Sequence, residues 1–454
     1  MSLVFPEFTK KFVKTNEVLY FKIISRIFSH FQVAEFQNPL WTELHKSRGT
    51  EDYYHKIFMR NSVLIADLLI LSPSILAFTR QQDHHPWSLT AFMLYPGLIL
   101  IDNGHFQYND ISLGLFTLAV AFILKGRELC ASVAFVLALN YKQMELYHAL
   151  PFFAYLLGLC MKEKGWFKAI FKLCKIGITV ILTFGLIWWP FMTSQEQIFQ
   201  VIHRIFPVNR GLFEDKVANF WCSFNVIYKL KAINQDTMVL ISALVTLLGA
   251  LPANLALFLR PSKDQFILAL LNTSLAFFLF SYHVHEKSIL LVAFPALMAF
   301  KSIKGHRYSN FTITWFLISS TFSMWPLLLK DGLALATLAL QGIFVTFTHY
   351  VGFLDFGAKS LDLKRTSPKP LTNKDLIKGH IQDWTLWTLF NLSVMGYGAF
   401  MMASVYLEPP AQYPDLWPLV ISVYSAGHFV AFWMYFMYCQ FSVFSKVSYE
   451  KKTN

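Results

Sequence analysis

The sequence predicts an all-α polytopic membrane protein, and three observations carry that prediction. Of 454 residues, 55% are hydrophobic, 17% aromatic and only 15% charged. Apolar runs long enough to cross or nearly cross a bilayer recur along the chain, and the basic residues fall in the short connectors between them. Soluble domains carry about 25% charged residues, and only helices or closed barrels satisfy their backbone in lipid.

Thirteen runs qualify when polar ends extend the shorter ones. They are Ser62–Thr79, Trp87–Ile101, Ile111–Leu124, Leu129–Tyr141, Leu146–Met161, Ile176–Met192, Met238–Leu259, Gln265–Ser281, Ser288–Phe300, Phe311–Leu329, Leu333–Phe356, Trp384–Leu407 and Leu416–Phe444. The fourth is short enough to be tilted or re-entrant. Ahead of them, Val18 to Phe36 mixes Leu19, Phe21, Ile23 and Ile27 with Lys22, Arg26 and His30. That mixture suits an interfacial amphipathic helix, so residues 1–61 read as an interfacial and luminal segment and 62–454 as the multi-span domain. Met1 to Lys14 has no uninterrupted apolar core, so no cleavable signal peptide is expected.

The net charge of +12 is spread over connectors, with no stripe of interleaved basic and aromatic residues. It reads as topology and gives no nucleic-acid footprint. Cys130, Cys160, Cys174, Cys222 and Cys439 lie mostly in or beside apolar runs without paired spacing, which argues against a disulfide framework or a zinc site.

Lys162 to Lys175, Arg260 and Lys263, Lys301 to Arg307, and the connector 357–383 mark the cytoplasmic face by the positive-inside rule. The alternate connectors are then luminal: Gly104 to Asp110, the loop 193–237, and Tyr282 to Lys287, with short turns near Lys330–Asp331 and Glu408 to Asp415. This parity puts the C-terminus in the cytoplasm, where Lys451–Lys452–Thr453–Asn454 forms a dilysine ending of the retrieval type, the alternative being a solvated basic tail. It also leaves the N-terminus in the lumen, against the preference of Lys10, Lys11 and Lys14. Asn272, Asn310 and Asn391 match the glycan-acceptor pattern, but lie in spans or beside a cytoplasmic connector.

Ionisable groups at a membrane rim are costly unless they work, and three luminal clusters, with the Lys142–Glu145 turn beside them, hold them. His105, Gln107, Tyr108, Asn109 and Asp110 suit a hydroxyl-rich ligand, or else an ordinary interfacial turn. Lys142 and Glu145, three residues apart, either contact a ligand or pair with each other. Arg204 and Arg210 suit bidentate phosphate binding, and Trp221 suits stacking on a sugar or isoprenoid; the bland alternative is an amphipathic loop helix. His283 and His285 are two apart with no third ligand near, which disfavours a metal. His285 and Lys287 suit phosphate instead, with Glu286 as buttress, or else Glu286 forms a helix-end ion pair with Lys287 or Arg210.

Four strings, His105-Phe-Gln-Tyr-Asn109, Asn140-Tyr-Lys-Gln-Met-Glu-Leu-Tyr-His148, Phe206 to Asn219 with Trp221-Cys222, and Val284-His-Glu-Lys-Ser-Ile-Leu290, resemble the endoplasmic-reticulum glucosyltransferases that extend the lipid-linked oligosaccharide. The resemblance runs from about Asn38 to the C-terminus. Within that family, Lys142–Glu145 and Leu212–Lys216 resemble the member that adds the first glucose.

The resemblance implies a GT-C-like bundle in the endoplasmic-reticulum membrane with its active face luminal. It further implies inverting transfer of glucose from dolichyl-phosphate glucose onto dolichyl-pyrophosphate-linked Man9GlcNAc2, in α-1,3 linkage and without a required metal or other cofactor. Such transfer needs a base for the acceptor hydroxyl and cations for the departing dolichyl phosphate. Arg204, Arg210, His285 and Lys287 match the second role. His105, Gln107, Asn109, Lys142, Glu145 and Trp221 are the expected sugar and lipid contacts.

The family's first membrane helix, its acidic luminal loop and the following Asp-Tyr-Pro-Pro string are not recognisable before Tyr53. Asp102, Asp110, Glu214 and Asp215 are the acids on the right face, with Asp102, Glu214 and Asp215 the candidates for the base. The alternative expectation is an inactive or shortened form that still binds the polyprenyl carrier. A transporter or flippase would place its polar groups inside several spans, and is expected least.

Overall fold

The computed structural model describes residues 53–81, 86–192, 216–300, 308–354 and 373–453, with scattered positions between 193 and 202 and at 303 and 306. The described residues form helices and no strands. Each of the thirteen apolar runs holds helix among its described residues, but several are broken or end short, and they are not thirteen equal spans. Among the described residues, seven helices are long and apolar enough to cross a membrane, and three apolar ones of 10–17 residues are shorter.

α1 (Tyr53–Ala66) passes through a π turn, Asp67–Leu71, into α2 (Ser72–Thr79). The expected span Trp87–Ile101 is broken: α3 (Pro86–Met93) stops before Pro96, and the chain resumes as the turn Pro96–Leu98 and a second π turn, Ile99–Phe106. Then come α4 (Asn109–Leu124), α5 (Glu128–Tyr141), α6 (Leu146–Met161) and α7 (Trp166–Trp188). The loop helix α8 (Phe220–Ile227) and the spans α9 (Gln235–Leu259) and α10 (Lys263–Phe280) start on caps from Asn219, Asn234 and Ser262, whose side-chain oxygens take orphan N–H groups.

The run Ser288–Phe300 yields only the ten-residue α11 (Leu290–Ala299). Phe311–Leu329 is cut at Met324 into α12 (Ser309–Ser323) and α13 (Trp325–Lys330), because Pro326 starts a new first turn. The chain ends in α14 (Ala334–Tyr350), α15 (Asn373–Tyr406) and α16 (Leu416–Thr453).

α10 and α11 are the centre, buried along nearly their whole length. α7 and α15 turn Ile181, Leu182, Leu186, Trp384 and Met395 outward, as lipid-facing helices do. Lipid tails are as apolar as leucine, so close backbone approach and polar ties hold such helices together. A Cβ on Gly158 of α6 would sit 2.6 Å from the Phe258 carbonyl of α9. Gln440 of α16 accepts from Asn272 at 2.7 Å and donates to the Ala253 carbonyl at 2.8 Å. Asn272 is thus a fully buried inter-helix tie, which fits its exclusion as a glycan acceptor.

At one end of the bundle Lys172 pairs with Glu128 and Glu163, joining two basic connectors. At the other end the loop preceding α8 docks on α16, where Ser422 donates to the Lys216 carbonyl and Lys216 lies 3.7 Å from Asp415. That second end carries the polar clusters.

Candidate functional site

Three of the four strings meet there. The Ile99–Phe106 π turn ends on Phe106, whose φ of 77° is a left-handed conformation rare for a bulky residue. This kink lets His105 turn one way and Gln107 to Asn109 the other. Such strain costs on the order of 1 kcal/mol and persists where the surroundings over-determine it.

On one side of the kink, Asp102 is fully buried. Its two oxygens accept from Asn109 Nδ2 at 2.6 Å and from the Asp110 backbone N–H at 2.7 Å. Both partners are donors, so an O–H on Asp102 would have no acceptor and the geometry fits the carboxylate. Burial nevertheless pushes its pKa up to about 7, with the Lys142 charge pulling the other way. Asn109 also donates to Gln107 Oε1 at 3.1 Å.

Lys142 donates to Asn109 Oδ1 and to Gln107 Oε1. It does so because it is extended (φ −142°, ψ 114°) between α5 and the turn Gln143–Glu145. The three-residue helical spacing that would pair it with Glu145 does not exist there. Burial pushes the Lys142 ammonium below its ordinary range, and the nearby Asp102 opposes this. Asp110 is also buried; its Oδ1 caps the Ile111 N–H while Oδ2 has no partner.

Below this layer a single chain of hydrogen bonds ties the Asn140–His148 string to α4 and to α11. Ser112 of α4 donates to Glu145 Oε1 at 2.5 Å, Glu145 Oε2 meets His148 Nδ1 at 2.7 Å, and His148 Nε2 reaches the Leu291 carbonyl at 2.8 Å. A carbonyl only accepts, so Nε2 carries hydrogen. One proton is then shared between Nδ1 and Glu145, both fully buried. His148 also stacks on Phe116, centroids 4.0 Å apart.

On the other side of the kink, His105 Nδ1 lies 2.6 Å from Asp331 Oδ2, and Lys287 Nζ lies 3.0 Å from His105 Nε2. His105 is held below its ordinary 6.5 by burial and by the Lys287 charge, with Asp331 opposing. His283 and His285 lie in non-helical chain before the turn Glu286–Ile289. Among the described residues no group of three or more His, Cys, Asp or Glu is arranged to hold a metal.

The structure thus brings together His105, Gln107, Asn109, Lys142 and Lys287 at the rim, with Asp102 and Glu145 buried beneath and His285 two residues before Lys287. Trp221 is also buried, and its indole N–H donates to the Phe280 carbonyl at 2.6 Å, docking α8 on the end of α10. Arg204, Arg210, Glu214 and Asp215 lie outside the described residues, as does the 1–52 segment. Sequence reasoning did not single out Ser112 or Asp331. His148 stood in a quoted string, and Asp331 was visible only as a polar turn between two apolar runs.

The arrangement offers cations beside a cluster of amide and carboxylate acceptors at the end of an apolar bundle. That pairing suits an anionic lipid carrying a hydroxyl-rich head. The family described as the ALG6, ALG8 glycosyltransferase family matches residues 20–435. A Gallus gallus protein, "Dolichyl pyrophosphate Man9GlcNAc2 alpha-1,3-glucosyltransferase", is 44% identical over 417 residues, covering 89% of this chain and 80% of its own. A Drosophila melanogaster protein with the same name prefixed "Probable" is 44% identical over 418 residues, covering 90% and 82%. The Arabidopsis thaliana protein so named is 35% identical over 426 residues, covering 92% and 76%.

Proposed function

We propose that this chain, which belongs to the ALG6, ALG8 glycosyltransferase family, transfers glucose from dolichyl-phosphate glucose to dolichyl-pyrophosphate-linked Man9GlcNAc2, forming an α-1,3 linkage with inversion. It works in the endoplasmic-reticulum membrane, with the polar rim facing the lumen. The observation that carries this reading is the meeting of His105–Asn109, Lys142–His148 and His285–Leu291 through three sets of hydrogen bonds: Ser112–Glu145–His148–Leu291, Lys142–Asn109–Asp102 and Lys287–His105.

In the reaction the acceptor hydroxyl oxygen attacks the anomeric carbon while the bond from that carbon to the phosphate oxygen breaks. The hydroxyl proton passes to a base and the dolichyl phosphate leaves with the bonding pair. Cations that meet the charge as it develops lower the barrier most. Lys287 and His285, with Arg204 and Arg210, fill that role. Gln107, Asn109 and Lys142 hold the sugar hydroxyls from a scaffold fixed by Asp102 and Glu145, while Trp221 anchors α8 on the end of α10. The base is drawn from Asp102, Glu214 and Asp215. Asp102 as it stands spends both oxygens on Asn109 and Asp110, so it serves as base only where Asn109 swings away.

The test is purified chain in lipid with a short-chain dolichyl-phosphate glucose and lipid-linked Man9GlcNAc2. The reading predicts a glycan one hexose heavier whose new linkage is α-1,3 by NMR. No heavier glycan, or a different linkage, contradicts it.

A further inference from the structure

We propose that Asp331 is a positioning residue for the donor phosphate: acting through His105, it holds the Lys287 ammonium at the rim. This rests on the reading that Lys287 meets that phosphate.

The protons settle the direction of the relay. An ammonium has donors only, so at 3.0 Å from Lys287 Nζ the His105 Nε2 must be the acceptor. Its hydrogen then sits on Nδ1 and is donated to Asp331 Oδ2 at 2.6 Å. Asp331 thereby fixes the tautomer and ring orientation of His105, and His105 fixes the end of a long flexible side chain. Lys287 and Asp331 lie 182 and 226 positions along the chain from His105.

The backbone is built for this contact. A Cβ on Gly104 would lie 2.8 Å from Leu333 Cδ1, so the π turn packs closely against the chain just after Asp331. Gly332, with φ of 73°, makes that turn, and the left-handed Phe106 turns the chain on the far side of His105. His105 and Asp331 are partly exposed, at 21% and 29% of their side chains, so the relay lies at the mouth of the site and outside the sealed core.

A lysine pre-set in this way loses less freedom when the phosphate arrives. Breaking the relay therefore weakens donor binding and leaves acceptor binding and the later chemistry alone.

The experiment titrates a short-chain dolichyl-phosphate glucose, and separately lipid-linked Man9GlcNAc2, into the full chain in nanodiscs, a readout that needs no turnover. Asp331→Ala is expected to raise the donor Kd by roughly tenfold, the usual worth of one charge-assisted hydrogen bond, with the acceptor Kd unchanged. Asp331→Asn keeps an oxygen for the His105 Nδ1 hydrogen and should restore most of the affinity. Combining Asp331→Ala with His105→Phe should cost no more than either alone, because both cut one path.

Wild-type donor affinity in Asp331→Ala, alongside lost affinity in Lys287→Met, overturns the relay and leaves the phosphate reading standing. Unchanged affinity in Lys287→Met removes the phosphate reading and the relay together. Equal losses of donor and acceptor binding in Asp331→Asn make Asp331 a structural residue and also overturn the proposal.

Discussion

Replacing Glu145 probes the buried chain that ties the Asn140–His148 string to α4 and α11, and two variants separate its possible causes. In Glu145→Leu the Ser112 hydroxyl and His148 Nδ1 both lose their partner in a place without water, since Glu145 and His148 are 0% exposed. Each orphaned buried group costs about 1–3 kcal/mol, so the loss is about 2–6 kcal/mol. In Glu145→Gln the amide oxygen still accepts from Ser112, and the amide N–H donates to the bare Nδ1 of a His148 whose Nε2 hydrogen stays on Leu291. Every group remains satisfied, and the expected cost is about 1 kcal/mol or less. Thermal unfolding of the purified chain at one fixed scan rate, followed by tryptophan fluorescence, reads the difference. At about 2–4 °C per kcal/mol for large domains, leucine should lower the midpoint by at least about 4 °C, and glutamine by no more than about half of that. Equal shifts for the two, or a leucine variant as stable as wild type, would refute the hydrogen-bond reasoning.

Gly104→Val places carbons where Leu333 now sits, so it should part the π turn from the Asp331 turn and lower donor affinity like Asp331→Ala; donor titration checks it. The pKa of His105 is lowered on folding, so the relay contributes stability that is complete above the ordinary imidazole value and lost as pH falls below it, because protonated Nε2 repels Lys287. Donor Kd measured from neutral to mildly acid pH should therefore rise on acidification in wild type, and rise less in His105→Gln, whose amide does not titrate. Gln440→Leu removes the acceptor of Asn272 and the donor to Ala253; at about 0.6–2 kcal/mol per membrane-buried hydrogen bond, it should lower the unfolding midpoint by several degrees without changing donor or acceptor affinity.

Hydropathy located the long apolar helices, though not the loop helix α8, because a bilayer rewards apolar residues whatever the neighbours are. It did not locate the breaks. The gap around Tyr95 and the one at Met324 follow from Pro96 and Pro326, but the two π turns depend on packing. Gly114 shows this, since a Cβ there would lie 3.1 Å from the Leu71 backbone. At the site, His105, Lys142 and Lys287 were legible as charged or polar groups at the rim. Their partners were not. Local spacing offers Glu145 to Lys142, whereas the extended backbone at Lys142 gives it Asn109 and Gln107. Asp331 looked like an ordinary turn residue because its partner stands 226 residues away, and no local pattern records a contact that long.

The most direct test expresses the 454-residue chain in cells lacking their own first glucosyltransferase and measures glucose on the lipid-linked oligosaccharide, beside Lys287→Met at equal membrane abundance. The account predicts monoglucosylated Man9GlcNAc2 with the wild-type chain and sharply less with the variant. Absence of glucosylated product from an abundant, membrane-inserted wild-type chain would contradict it, and would leave a protein that binds the carrier without completing the transfer.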